Sequence, residues 1–117
     1  MPTLKRLKPG KRMSQAVIRG NAVYLAGQVA EKTAGQSVRE QTAEILAEID
    51  ALLAEAGTDK TKIMMATIYL ADIATFAEMN DVWDGWVVEG ETPARATVEA
   101  KLVAPQYKVE IAIVATI

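Results

Sequence analysis

The chain contains no cysteine and no histidine. The first absence removes disulfides, thiolate nucleophiles and cysteine-held metals. The second removes the commonest general base near neutral pH and the commonest metal ligand. Any chemistry must come from Arg, Lys, Asp, Glu, Ser, Thr, Tyr, backbone groups and water. Aromatics make up only 5% of residues, so alanine and branched aliphatics must build the core, and they favour tight interdigitation. No apolar run approaches the ~20 residues that cross a bilayer. The amino terminus also lacks the charged, apolar and small-residue pattern of a secretory signal, so the expectations are no membrane partner and a cytoplasmic location. With 13 basic and 15 acidic residues the formal net charge is -2, which gives no footprint for a phosphate backbone, and no nucleic-acid partner is expected. Lys5, Arg6, Lys8, Lys11 and Arg12 do cluster near the start, but a solvated tail accounts for them more cheaply.

What is present is clear periodicity. At 117 residues there is room for one core, so a single domain over 1–117 is expected. Gln15 to Ile18 and Ala22 to Ala26 are short apolar runs around Arg19-Gly20-Asn21, a hairpin composition. From Ser37 the period changes. Val38, Thr42, Ile45, Leu46, Ile49, Leu52, Leu53 and Ala56 share a helical stripe that Gly57 ends, while most glutamates face away. Ile63 to Leu70 reads as a buried strand, and a second helix runs from Ile73 or Phe76 to Val88. Two more strands, Ala94 to Ala100 and Tyr107 to Ile117, follow. The order ββαβαββ makes a two-layer α+β sandwich in which both helices cover one sheet face. Alternation predicts that the opposite face presents Arg95, Thr97 and Glu99 among small and apolar groups, a mixture that invites burial against further copies of the chain.

One pair of residues breaks the apolar strands. Arg95 lies in Pro93-Ala94-Arg95-Ala96-Thr97-Val98, and Glu110 in Val109-Glu110-Ile111-Ala112-Ile113-Val114. Burying a lone charge costs several kcal/mol. The two residues are therefore either a structural ion pair or kept for a ligand. Asn80 falls on the apolar side of the second helix, between Phe76 and Val87, and needs a hydrogen-bond partner. It serves either as a tie to a neighbouring segment or as a ligand contact. Trp83 and Trp86 read as core or subunit contact rather than as a cofactor box.

Ser14-Gln15-Ala16-Val17, Gly20-Asn21 and Leu25-Ala26-Gly27-Gln28-Val29 resemble the amino-terminal signature of the RidA/YjgF family, where Tyr-Ser-Gln-Ala is commonly followed by Ser-Gly-Gln. Phe76-Ala77-Glu78-Met79-Asn80, Pro93-Ala94-Arg95-Ala96-Thr97-Val98 and Val109-Glu110-Ile111 are similar to its later motifs. Trp83-Asp84-Gly85-Trp86-Val87 resembles a divergent branch. The resemblance implies a chorismate-mutase-like fold and a homotrimer with clefts at the subunit boundaries. It also implies hydrolytic deamination of small enamine or imine acids, such as 2-aminoacrylate, to 2-keto acids and ammonia, without metal or organic cofactor.

Carried onto this sequence, Arg95 binds the substrate carboxylate, Asn80 and Gly27 belong to the cleft, and Glu110 positions water. Three positions depart from the family pattern. Met13 stands where tyrosine is usual, Ala26 where serine is frequent and Thr97 where cysteine is frequent. Losing two hydroxyls removes contacts worth about 1 kcal/mol each. Thr97 keeps a hydroxyl and is grouped with Glu110 as catalytic, with Arg95, Asn80, Gly27, Met13 and Ala26 as substrate-binding. The departures leave a second possibility open, a trimer that binds 2-keto acids without turnover, as a sensor or partner-binding protein. A ribonuclease role fits poorly with the absence of histidine and of a basic cleft pattern.

Overall fold

The computed structural model describes residues 3–117. Six strands, β1 (Lys5–Leu7), β2 (Ala16–Arg19), β3 (Ala22–Val29), β4 (Ile63–Leu70), β5 (Ala94–Glu99) and β6 (Val109–Thr116), form one sheet in the order β1-β2-β3-β6-β4-β5. Helices α1 (Val38–Ala56) and α2 (Phe76–Trp86) cover one face. Every neighbouring pair is antiparallel except β4 and β5, which are parallel because α2 carries the chain back between them. The α+β layering is as expected.

The caps explain where α1 starts and stops. Ser37 accepts from the Glu40 amide at 3.1 Å, an N-cap, and its hydroxyl donates to the Glu40 carboxylate at 3.1 Å. Gly57 turns left-handed at φ 88°, which lets the Thr58 amide reach the Leu53 carbonyl at 2.9 Å. All eight residues of the expected α1 stripe are buried, as is Gln41. Each buried Leu or Ile there contributes roughly 1.5–3 kcal/mol. Gln41 holds two loops at once, donating to the Gln36 and Gln106 carbonyls and accepting from the Lys108 amide. The second helix begins at Phe76, after a single 3-10 turn over Ile73–Thr75 capped by Asp72.

Two expectations need correction. Lys5 and Arg6 are not part of a solvated tail but form, with Leu7, the edge strand β1, in which Lys5, Arg6 and Leu7 pair with Ile18, Val17 and Ala16. An edge strand has to bury only one side, and Leu7 does so while Lys5 and Arg6 stay exposed, where their charge discourages pairing with other chains.

The second correction concerns a face. Arg95, Thr97 and Glu99 pair with Ala66, Ile68 and Leu70, the β4 residues buried under the helices. The parallel register therefore turns Arg95 and its neighbours toward α2, not onto the uncovered side. That uncovered side carries Ala96, Val98, Thr67, Tyr69, Glu110 and Ala112, and farther along Tyr24 and Val114. Tyr24 is 54% exposed and Val98 45%, so the face is mostly small or apolar and wet in the single chain.

Candidate functional site

The residues expected to act together fall in two places. The first is the edge between β5 and α2. Arg95 Nη1 donates to Asn80 Oδ1 at 2.7 Å. The guanidinium carbon also lies over the rings of Phe76, at 5.6 Å, and Trp83, at 5.3 Å. Phe76, Asn80 and Trp83 are spaced i, i+4 and i+7, which places all three contacts on one face of α2. Among the described residues no carboxylate lies within ion-pair distance of Arg95. The candidate acids are engaged elsewhere. Glu78 accepts from the Arg39 amide, Asp81 pairs with the Arg39 guanidinium and Glu99 accepts from the Ile73 amide. Thr97 lies two residues along the same strand face, its hydroxyl oxygen buried and without a protein hydrogen-bond partner. An unmade hydrogen bond of that kind costs about 1–3 kcal/mol.

The second place lies across the sheet. Glu110 pairs with Tyr69 and Val29 on the uncovered face. Beside it β3 has a bulge, since Leu25 faces Ile113 and Gln28 faces Ile111, which leaves Ala26 and Gly27 opposite one residue. Gln28 steadies the bulge by donating to the Ala26 carbonyl at 3.0 Å and to Gln15 Oε1 at 2.9 Å. A Cβ at Gly27 would lie 3.0 Å from Glu110 Cδ and 3.2 Å from its Cγ. Glycine is what lets the glutamate side chain lie there. Gly27, Met13 and Gln28 also line a hollow of about 240 Å³ that reaches Glu44 on α1. A larger hollow of about 720 Å³ near Leu102 and Tyr107 contains none of the expected site residues.

Arg95 and Glu110 thus sit on opposite faces of the sheet, on strands separated by β4. The structural ion pair between them is ruled out within one chain. Asn80 is a tie, but to Arg95 itself. Within one chain the structure groups Arg95, Asn80 and Thr97, and separately Glu110, Gly27, Ala26 and Met13. Phe76, Trp83 and the Gln15–Gln28 pair were not singled out from the sequence as site residues. The i, i+4, i+7 spacing around Asn80 was the available signal for the first two.

At the hollow's rim, Glu44 holds the segment after β3. Burial works to raise its pKa, but the Thr33 hydroxyl, the Lys32 and Thr33 amides and the Lys32 charge together hold it below its ordinary value. Among the described residues no group of three acidic or other metal-ligating side chains is placed to hold a metal ion.

A family model described as Endoribonuclease L-PSP matches residues 3–117. The chain belongs to the RidA/YjgF family. A RutC family protein of Haemophilus influenzae is 49% identical over 97% of this chain and 98% of its own. The RutC family protein YoaB of Escherichia coli is 48% identical over 98% and 99%. Among solved structures, a YjgF-family protein of Neisseria meningitidis superposes with a TM-score of 0.94 at 46% identity, covering 97% of this chain and 94% of that one. A Salmonella typhimurium protein described as a putative translation initiation inhibitor gives 0.90 at 45% identity, with 98% coverage of both. The two-helix, six-strand architecture of this chain is thus that of the RidA/YjgF family.

Proposed function

We infer that the chain assembles as a homotrimer whose interfacial clefts bind small planar carboxylates and hydrolyse enamine or imine acids to 2-keto acids and ammonia. The observation that carries this reading is Arg95, a half-buried guanidinium fixed by neutral groups with its charge unanswered. A guanidinium of this kind meets a carboxylate through two parallel hydrogen bonds. The Thr97 hydroxyl beside it is a further donor. Glu110 is separated from Arg95 by the sheet, so a cleft using both takes one residue from each of two copies. The open, largely apolar sheet face around Glu110 supplies the surface for that contact.

With the carboxylate held, the imine carbon faces a water oriented by Glu110. Glu110 takes a proton from that water as it adds across the C=N bond and returns it to the nitrogen, so that the carbinolamine collapses to the 2-keto acid and ammonia leaves. Imines hydrolyse readily, so orientation is most of what is needed. The deciding experiment is ammonia release from enamines generated in situ by a dehydratase. Wild-type protein should accelerate it, and Arg95→Ala should both lose the acceleration and fail to bind pyruvate in calorimetry. Full activity in Arg95→Ala would overturn the assignment.

One observation favours the non-catalytic alternative. Met13, 58% exposed at the edge of the hollow, places a thioether where a phenol hydroxyl would face the ligand. A trimer that binds 2-keto acids without accelerating ammonia release would fit that reading instead.

A further inference from the structure

Arg95 is held in an unusual way. A buried or half-buried arginine in a structural role normally ends on a carboxylate, because pairing offsets desolvation of the charge. Here every contact found for the guanidinium is with a neutral group: the Asn80 carbonyl oxygen and the rings of Phe76 and Trp83. Aromatic faces attract a cation without cancelling its charge, and an amide oxygen fixes one N–H while leaving the others free.

Resting on the carboxylate reading above, we propose that the Phe76–Asn80–Trp83 stripe of α2 is a charge-neutral cradle that aims Arg95 and leaves its charge uncompensated for an anionic ligand. These are positioning residues, acting through Arg95. Asn80 has the sharpest role. An aspartate there would accept the same hydrogen bond, and a carboxylate would hold the guanidinium more strongly than the amide does. It would also supply internally the negative charge that the ligand is meant to bring. The site thus forgoes some stability to remain receptive.

The test compares Asn80→Asp with wild type and Arg95→Ala, using pyruvate as probe. Binding is read by calorimetry and by tryptophan emission in a Trp86→Phe background, where the signal comes from Trp83, whose ring lies by the guanidinium. Asn80→Asp should melt at or above the wild-type temperature, and that advantage should vanish in the Arg95→Ala background. Its pyruvate affinity should fall at least tenfold. A purely structural asparagine would show the stability change without the loss of affinity.

If Asn80→Asp binds pyruvate like wild type while Arg95→Ala does not, the cradle is wrong and the carboxylate reading stands. If wild type and Arg95→Ala respond alike, the carboxylate reading falls and takes the cradle with it. Should Asn80→Asp fail to fold, Phe76 gives an independent test, since at 39% exposure it tolerates change. Phe76→Leu should bind several-fold more weakly and Phe76→Tyr should restore the wild-type level. Equal affinity in all three would overturn the proposal.

Discussion

Substituting Gly27 with alanine tests the role of Glu110 without touching Glu110. The new methyl would sit 3.0 Å from Glu110 Cδ and 3.2 Å from its Cγ, and closer still to Oε2. Ordinary carbon contacts begin near 3.5 Å. All three obstructing atoms belong to a flexible side chain and none to the backbone, so the glutamate yields rather than the strand. Displacing a side chain to a strained rotamer costs about 0.5–1.5 kcal/mol, which lowers the melting temperature of a domain this size by a few degrees. Displacing a catalytic group by ~1 Å can cost about 100-fold in rate. Gly27→Ala should therefore melt within roughly 2–8 °C of wild type. It should bind pyruvate within a few-fold, since Arg95 is untouched, and release ammonia on the order of 100-fold more slowly. Thermal melts, calorimetry and the coupled ammonia assay read the three quantities. A double-mutant cycle completes the test. In a Glu110→Ala background the obstacle is gone, and Gly27→Ala should cost nothing further in stability or rate. Unchanged turnover in Gly27→Ala, or an equal stability penalty in both backgrounds, would refute the reasoning.

The remaining predictions concern the rim and the departures from the family pattern. Glu44 has a lowered pKa in the folded chain, so its contribution to holding Lys32 and Thr33 is complete above its ordinary value of 4.5 and is lost as pH falls through the lower folded value. Protection of the Lys32 and Thr33 amides, measured against their intrinsic exchange rates at each pH, should fall in that acid window, and Glu44→Gln should show the lower protection already at neutral pH, with no further acid step. If wild type binds carboxylates but turns over slowly, Met13→Tyr, alone or with Ala26→Ser, should raise ammonia release. No gain in either variant, with pyruvate binding intact, would favour the binder over the catalyst.

Most of the fold was legible because its signals are local. The α1 stripe, its end at Gly57 and the Ile63–Leu70 strand depend on spacing and on a single end residue, and all are found where the pattern places them. The site was legible as a set of residues but not as an arrangement. Alternation along 94–99 says that Arg95 and Thr97 share a face; which face depends on the parallel pairing with β4, a long-range register. The bulge at Ala26–Gly27 was hidden for the same reason, since an extra residue shows only against its partner strand. The strand at Lys5–Leu7 was hidden by its charge, because two exposed cations resemble a tail until Leu7 is seen buried.

The placement of Arg95 and Glu110 on opposite faces makes the sharing of each cleft between copies directly testable by complementation. Arg95→Ala and Glu110→Gln, each expected under the proposed function to be an inactive homotrimer, are unfolded and refolded together in equal amounts, with hybrid formation followed by native mass spectrometry. If each cleft draws its arginine from one copy and its glutamate from another, about a quarter of the clefts in the mixture regain both, and ammonia release should return to roughly that fraction of wild type. Hybrid trimers that form and remain as inactive as either parent would contradict a cleft shared between Arg95 of one copy and Glu110 of the next.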